Sequence, residues 1–135
     1  MIQIQETLFY IHSVLRWLIL SLAVFGTARS FVSMLSVSGR FSRLDLGVSR
    51  AYPLVLDLQL LVGSLLVLAA LTLQQLVPWI HPIIMIPAVA IAHLGRRFAA
   101  RPDRNRHQAQ FAIYLSSLAL VVIGLAVIGQ LALPR

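Results

Sequence analysis

The chain has 135 residues, enough for a single domain, with 59% apolar and 11% charged residues and a mean hydropathy of +0.89. Its net charge is +7, and all eleven basic residues are arginines. There is no cysteine, which excludes disulfides, thiolate metal sites, iron–sulfur clusters and covalently attached c-type haem. Arginines placed between long apolar segments form a membrane pattern, whereas a nucleic-acid binder carries them on a folded polar face.

Four apolar segments follow one another, at roughly 7–26, 53–73, 79–95 and 111–133. Each has about 17–23 residues, which suits a hydrocarbon core of ~30 Å crossed by helices rising ~1.5 Å per residue. No basic stretch precedes the first segment, and Glu6 is the only charged side chain before it, so no cleavable signal peptide is expected. The first segment carries YIHSVLRW, with His12 and Arg16 one helical turn apart in an apolar run. Loop one (27–52) follows with Arg29, Arg40, Arg43 and Arg50; within it SFVSMLSVSGRFSRL reads either as an interfacial helix or as a plain loop. The second segment starts at Pro53 and contains Asp57 and Gln59, and the turn after it, TLQQLVPW, holds no charge. The third segment opens on His81-Pro82, contains His93, and is expected to kink at Pro87. Loop three, RRFAARPDRNRHQAQ (96–110), holds five arginines and His107, which is expected to be solvated. The fourth segment has no candidate ligand.

Nine arginines thus fall in loops one and three, against Arg135 on the other side, which predicts that those two loops are cytoplasmic and both termini lie outside. Tyr10 and Trp79 would mark the outer interface, Tyr52 and Tyr114 the inner one. The expected fold is an all-α integral membrane protein. It is one domain over 1–135, a bundle of four transmembrane helices in the lipid bilayer.

Ionisable residues at membrane depth are costly and mark an interior or a cavity. Topology sorts them into two layers: His12 and His81 toward the outer side, Asp57 and His93 toward the inner side. Two neutral imidazoles from facing helices are a good axial set for haem iron, and a four-helix bundle shields a porphyrin from water. On that reading His12 and His81 are the iron ligands of a b-type haem and Arg16 pairs with a propionate. Equally, the two histidines could bond carbonyls or headgroups, and His81 could cap its helix. Met85, one turn after His81, is an alternative axial ligand or a packing residue. Asp57 and His93 read as a buried polar pair, able to carry a proton or simply to fix packing; His93 is also a weaker cofactor ligand. The twelve residues from His81 to His93 rise ~18 Å and turn the two side chains ~120° apart. Gly63, Gly124 and Gly129 would let helices or a flat macrocycle approach closely.

HSVLRW in the first segment, LQLLVG (58–63) in the second, and HPIIM (81–85) with AHLGRR (92–97) in the third together resemble a family of small bacterial four-helix membrane proteins often labelled cytochrome b-like. The resemblance covers most of the first three segments and implies haem ligation by His12 and His81, with His93 a further candidate. The family pattern has a helix-two histidine where this chain has Asp57 and an acidic residue where it has Ile80, so the resemblance implies one haem or none. It also implies a bacterial inner membrane. Three functions follow as expectations. The first is a haem b electron-transfer subunit, with a quinone or other membrane subunits as partners. The second is a cofactor-free accessory or scaffold subunit of a larger membrane complex. The third is a (bacterio)chlorophyll-binding subunit. None requires a stand-alone enzyme, since no nucleophile–base pair, Walker loop or HExxH motif occurs.

Overall fold

A computed structural model describes residues 2–36 and 39–129. Among these, the chain is all helical, with no strand: α1 (Ile2–Leu35), α2 (Arg43–Thr72), α3 (Ile80–His93) and α4 (Asp103–Val127), and a 3₁₀ turn (Leu94–Phe98) that follows α3 directly. Three helices, α1, α2 and α4, are long and apolar enough to cross a membrane. With 14 residues, α3 is shorter; the 3₁₀ turn brings its total rise to about 30 Å. The last part of the expected fourth segment, 130–133, lies outside the described residues, as does Arg135.

The helices pack as a ring in chain order. α4 lies against α1 and α3, α1 against α2, and the α2–α3 contact is the thinnest. The core is built from Ile19 and Ala23 of α1, Tyr52 and Leu56 of α2, Ala88, Val89 and Ala92 of α3, and Tyr114, Val121 and Leu125 of α4. A second apolar stripe on α2, Leu54, Leu58, Leu61, Leu65 and Leu68, faces outward. Its spacing of three and four is that of one helix face. Helices apolar on both faces are what a lipid solvent requires, because outward leucines cost nothing there.

Helix ends differ from the sequence expectation. α1 continues nine residues beyond 26, and α2 begins ten residues before Pro53, so most of loop one is helix. Of the segment 30–44, residues 30–35 belong to α1 and 43–44 to α2; positions 37 and 38 lie outside the described residues. The start of α2 is fixed by a capping box. Ser42 Oγ accepts from the Asp45 amide at 3.3 Å, while Asp45 Oδ2 accepts from the Ser42 amide at 2.8 Å. Arg29 of α1 donates from Nε to Asp45 Oδ1 at 2.8 Å, locking the end of α1 to the start of α2. Loop three is likewise shorter than expected, since α4 starts at Asp103. At its C-terminal end, α2 stops in a Schellman turn: the Gln75 amide donates to Ala70 O at 2.8 Å and the Gln74 amide to Leu71 O at 3.2 Å, with Gln74 at φ 55°. α3 runs unbroken through Pro87.

Tyr52 and Tyr114 point into the bundle and not outward. They are 0% and 3% exposed, with ring centroids 5.3 Å apart. The Tyr52 hydroxyl donates to Ser117 Oγ (2.8 Å), which donates to Ala88 O (3.0 Å), so the phenol is satisfied inside the bundle and needs no headgroup layer. Gly26 makes this packing possible: a Cβ there would sit 2.7 Å from the Tyr114 ring. Gly26→Ala should therefore destabilise the fold by about 1–3 kcal/mol, measured by thermal or denaturant unfolding in detergent. Gly129 has a different role from the close approach expected of it, since nothing lies within 4 Å of a Cβ there. At φ +68° it ends α4 as a left-handed cap.

Candidate functional site

The outer layer brings together the two histidines that the sequence placed on separate segments. The His12 ring on α1 and the His81 ring on α3 have centroids 6.4 Å apart and planes at 74°. Both residues are half-buried. His81 Nδ1 lies 3.0 Å from Gly124 O on α4. A carbonyl only accepts, so Nδ1 carries a proton, and in the neutral ring Nε2 is the nitrogen with the lone pair. His12 Nδ1 is buried without a hydrogen-bond partner. Beside it, Gln59 of α2 donates from Nε2 to His12 O at 3.1 Å, while its own Oε1 is buried and unpartnered. Two orphaned polar atoms in one layer need an explanation, because such groups are rare in native interiors.

Glycines face both rings. A Cβ at Gly63 would lie 3.2 Å from His12 Cε1, and one at Gly124 would lie 3.1 Å from Met85 Sδ and 3.4 Å from His81 Nδ1. Each of the four helices thus contributes to the layer: His12 from α1, Gln59 and Gly63 from α2, His81 and Met85 from α3, Gly124 from α4. Met85 packs against the core cluster, the packing alternative of the two weighed for it. Arg16 is half-buried one turn inward of His12, with its guanidinium carbon 5.6 Å from the Trp17 ring centroid.

The inner pair also forms. His93 Nε2 and Asp57 Oδ1 are 2.8 Å apart and join α3 to α2, the neighbouring pair of helices with the thinnest contact. The pair is not buried, however: 33% of the His93 side chain and 47% of the Asp57 side chain remain exposed on the outside of the bundle. The rotation between positions 81 and 93 is the reason. It turns His81 toward α4 and His93 toward α2 and the surface. With Nε2 engaged by Asp57, and no second histidine beside it among the described residues, His93 does not extend the outer layer.

His107 also departs from expectation. Far from solvated, it is 0% exposed, because α4 begins at Asp103 and places His107 inside the inner end of the bundle. Its ring lies 5.0 Å from Phe41, over which Arg106 stacks at 3.6 Å, and Nε2 lies 3.4 Å from Arg40 O. Among the described residues, no group of three or more His, Cys, Asp or Glu side chains could hold a metal ion by itself.

Comparison with models of protein families, with curated proteins and with solved structures finds no match to this chain.

Proposed function

We propose that this protein is a four-span membrane protein of a bacterial inner membrane, with both termini outside. It holds one b-type haem between His12 and His81 and serves as an electron-transfer subunit. The observation that carries the reading is the facing pair of imidazoles. His12 and His81, on separate helices with ring centroids 6.4 Å apart, would hold the haem iron. The Gly124 carbonyl holds His81 in the tautomer that leaves Nε2 available, a common second partner for a metal-ligating histidine. Gly63 and Gly124 let their helices approach the edges of the two rings, and the orphaned atoms of His12 and Gln59 mark the layer as incomplete by itself. Haem would supply one-electron redox chemistry; the chain would supply two half-buried imidazole ligands and Arg16 as a positive charge one turn from His12. The exposed Asp57–His93 pair favours a neighbouring subunit, or a quinone, that covers it, since an ionisable pair open to acyl chains is costly. A cofactor-free accessory subunit is the alternative reading.

The test is a reduced-minus-oxidised absorption spectrum with a pyridine haemochromogen assay, on protein purified in mild detergent from a haem-supplied host. About one reducible b-type haem per chain is expected. A colourless, folded protein would rule the cytochrome reading out and leave the accessory reading.

A further inference from the structure

At the inner corner of the bundle, the end of α1, residues 39–40 and the first turn of α4 surround a cleft of about 580 Å³. Ser33, Ser36, Arg40, Asp103 and Arg104 supply its polar lining. Arg40 and Arg104 are exposed, and the backbone of residue 40 is held against α4 by the His107 Nε2–Arg40 O contact. Pro102, at the start of α4, offers no side-chain cap, so the first amides of that helix add partial positive charge beside Arg104. Next to the cleft, α1 turns Phe31, Val32 and Leu35 outward, at 45%, 65% and 67% exposure. A cationic, hydroxyl-lined cleft therefore adjoins an apolar strip. The strip continues the outward apolar face of α1, which carries Val24 and Phe25, past 26 to Leu35, so the surface open to acyl chains reaches the cleft.

We infer that this cleft binds the headgroup of an anionic glycerophospholipid of the phosphatidylglycerol type. A phosphodiester presents acceptor oxygens that two guanidinium groups clamp better than point charges do. Ser33 and Ser36 add hydroxyl donors. Asp103 would repel a bare anion, but it accepts from the hydroxyls of a glycerol headgroup, which makes the cleft specific for an anion that also carries donors. Phe31, Val32 and Leu35 then lie along the acyl chains, an arrangement that a soluble anion would leave unused. Arg97 and Arg101 carry the same charge on the same rim, outside this cleft, and provide the control. The inference is independent of the haem reading.

The full chain, in a neutral detergent, is titrated with phosphatidylglycerol and with phosphatidylcholine of identical acyl chains, and bound lipid is read by native mass spectrometry. Phosphatidylglycerol should bind in preference. The double substitution Arg40→Gln/Arg104→Gln should weaken it about thirtyfold, about fivefold per arginine. Arg97→Gln/Arg101→Gln, which removes the same charge, should change it less than about threefold. If the first double variant does not fold, Arg104→Gln alone must weaken binding about fivefold. Equal weakening by both pairs would mean diffuse rim charge and would overturn the site. So would displacement of the lipid by glycerol phosphate at matching concentration, which would mark a soluble-anion site, or equal retention of phosphatidylcholine.

Discussion

His81→Gly should remove the low-spin b-type spectrum from a protein that still inserts and folds, and added imidazole should bring it back. His81 is the better ligand to delete because its ring is positioned by one bond, Nδ1 to Gly124 O at 3.0 Å, and carries no ion pair. Glycine leaves an imidazole-shaped space against Gly124 and Met85, and free imidazole can enter it. A structural histidine would behave differently: its loss would lower stability, and imidazole would restore no spectrum. His12→Ala should also abolish the spectrum, with weaker rescue, because the Gln59 bond reaches the His12 backbone rather than its ring. Asp57→Asn is the control. The His93–Asp57 contact is remote from the two rings in its contacts and faces outward, so haem content per chain should stay unchanged. Loss of haem in Asp57→Asn with retention in His81→Gly would reverse the assignment of the two layers.

The helical order and the pairing of His12 with His81 were legible because both depend on hydropathy and on the direction of travel across a bilayer. Apolar segments of about twenty residues have few alternatives in lipid. Antiparallel travel puts the start of the first segment level with the start of the third. The Asp57–His93 contact was legible for the same reason, and even its orientation was foreshadowed by the ~120° turn from position 81 to 93. Its exposure was not legible, because hydropathy says that an aspartate in an apolar run is expensive but not which way it points. Helix ends were misjudged on the inner side. Arginine and serine lower hydropathy without lowering helix propensity much, so charge marks where the membrane ends and not where the helix does. The pattern SRLD (42–45) was a capping signal that could have placed the start of α2. His107 was read as solvated from its charged neighbours, yet its position on α4, three and seven residues before Gln110 and Tyr114, puts it on the buried face of that helix. Gln59 carried no signal beyond being polar within an apolar run. Only the packing of α2 against α1 shows that it bonds the backbone of His12.

Asp45→Ala should destabilise the protein by about 2–3 kcal/mol while leaving haem content per folded chain unchanged. The Asp45 side chain is 4% exposed and accepts from four donors: Arg29 Nε at 2.8 Å, Arg29 Nη2 at 3.4 Å, the Ser42 amide at 2.8 Å and Ser42 Oγ at 2.6 Å. Alanine breaks the capping box, worth about 1 kcal/mol, and leaves Arg29 without its carboxylate. A fully buried cation stranded in this way would cost about 3–5 kcal/mol. Arg29 keeps 38% of its side-chain surface, so water compensates for much of that and the smaller total follows. Asp45→Asn separates the two contributions, since the amide oxygen can still accept from the Ser42 backbone while the charge is lost; it should fall between wild type and alanine. The network joins α1 to α2 near the turn between them, whereas the histidine layer lies toward the opposite end of the bundle, so unfolding in detergent should register the change and the haem spectrum should not. A loss below about 1 kcal/mol, the range of surface pairs, would mean that the α1–α2 junction is held by packing alone.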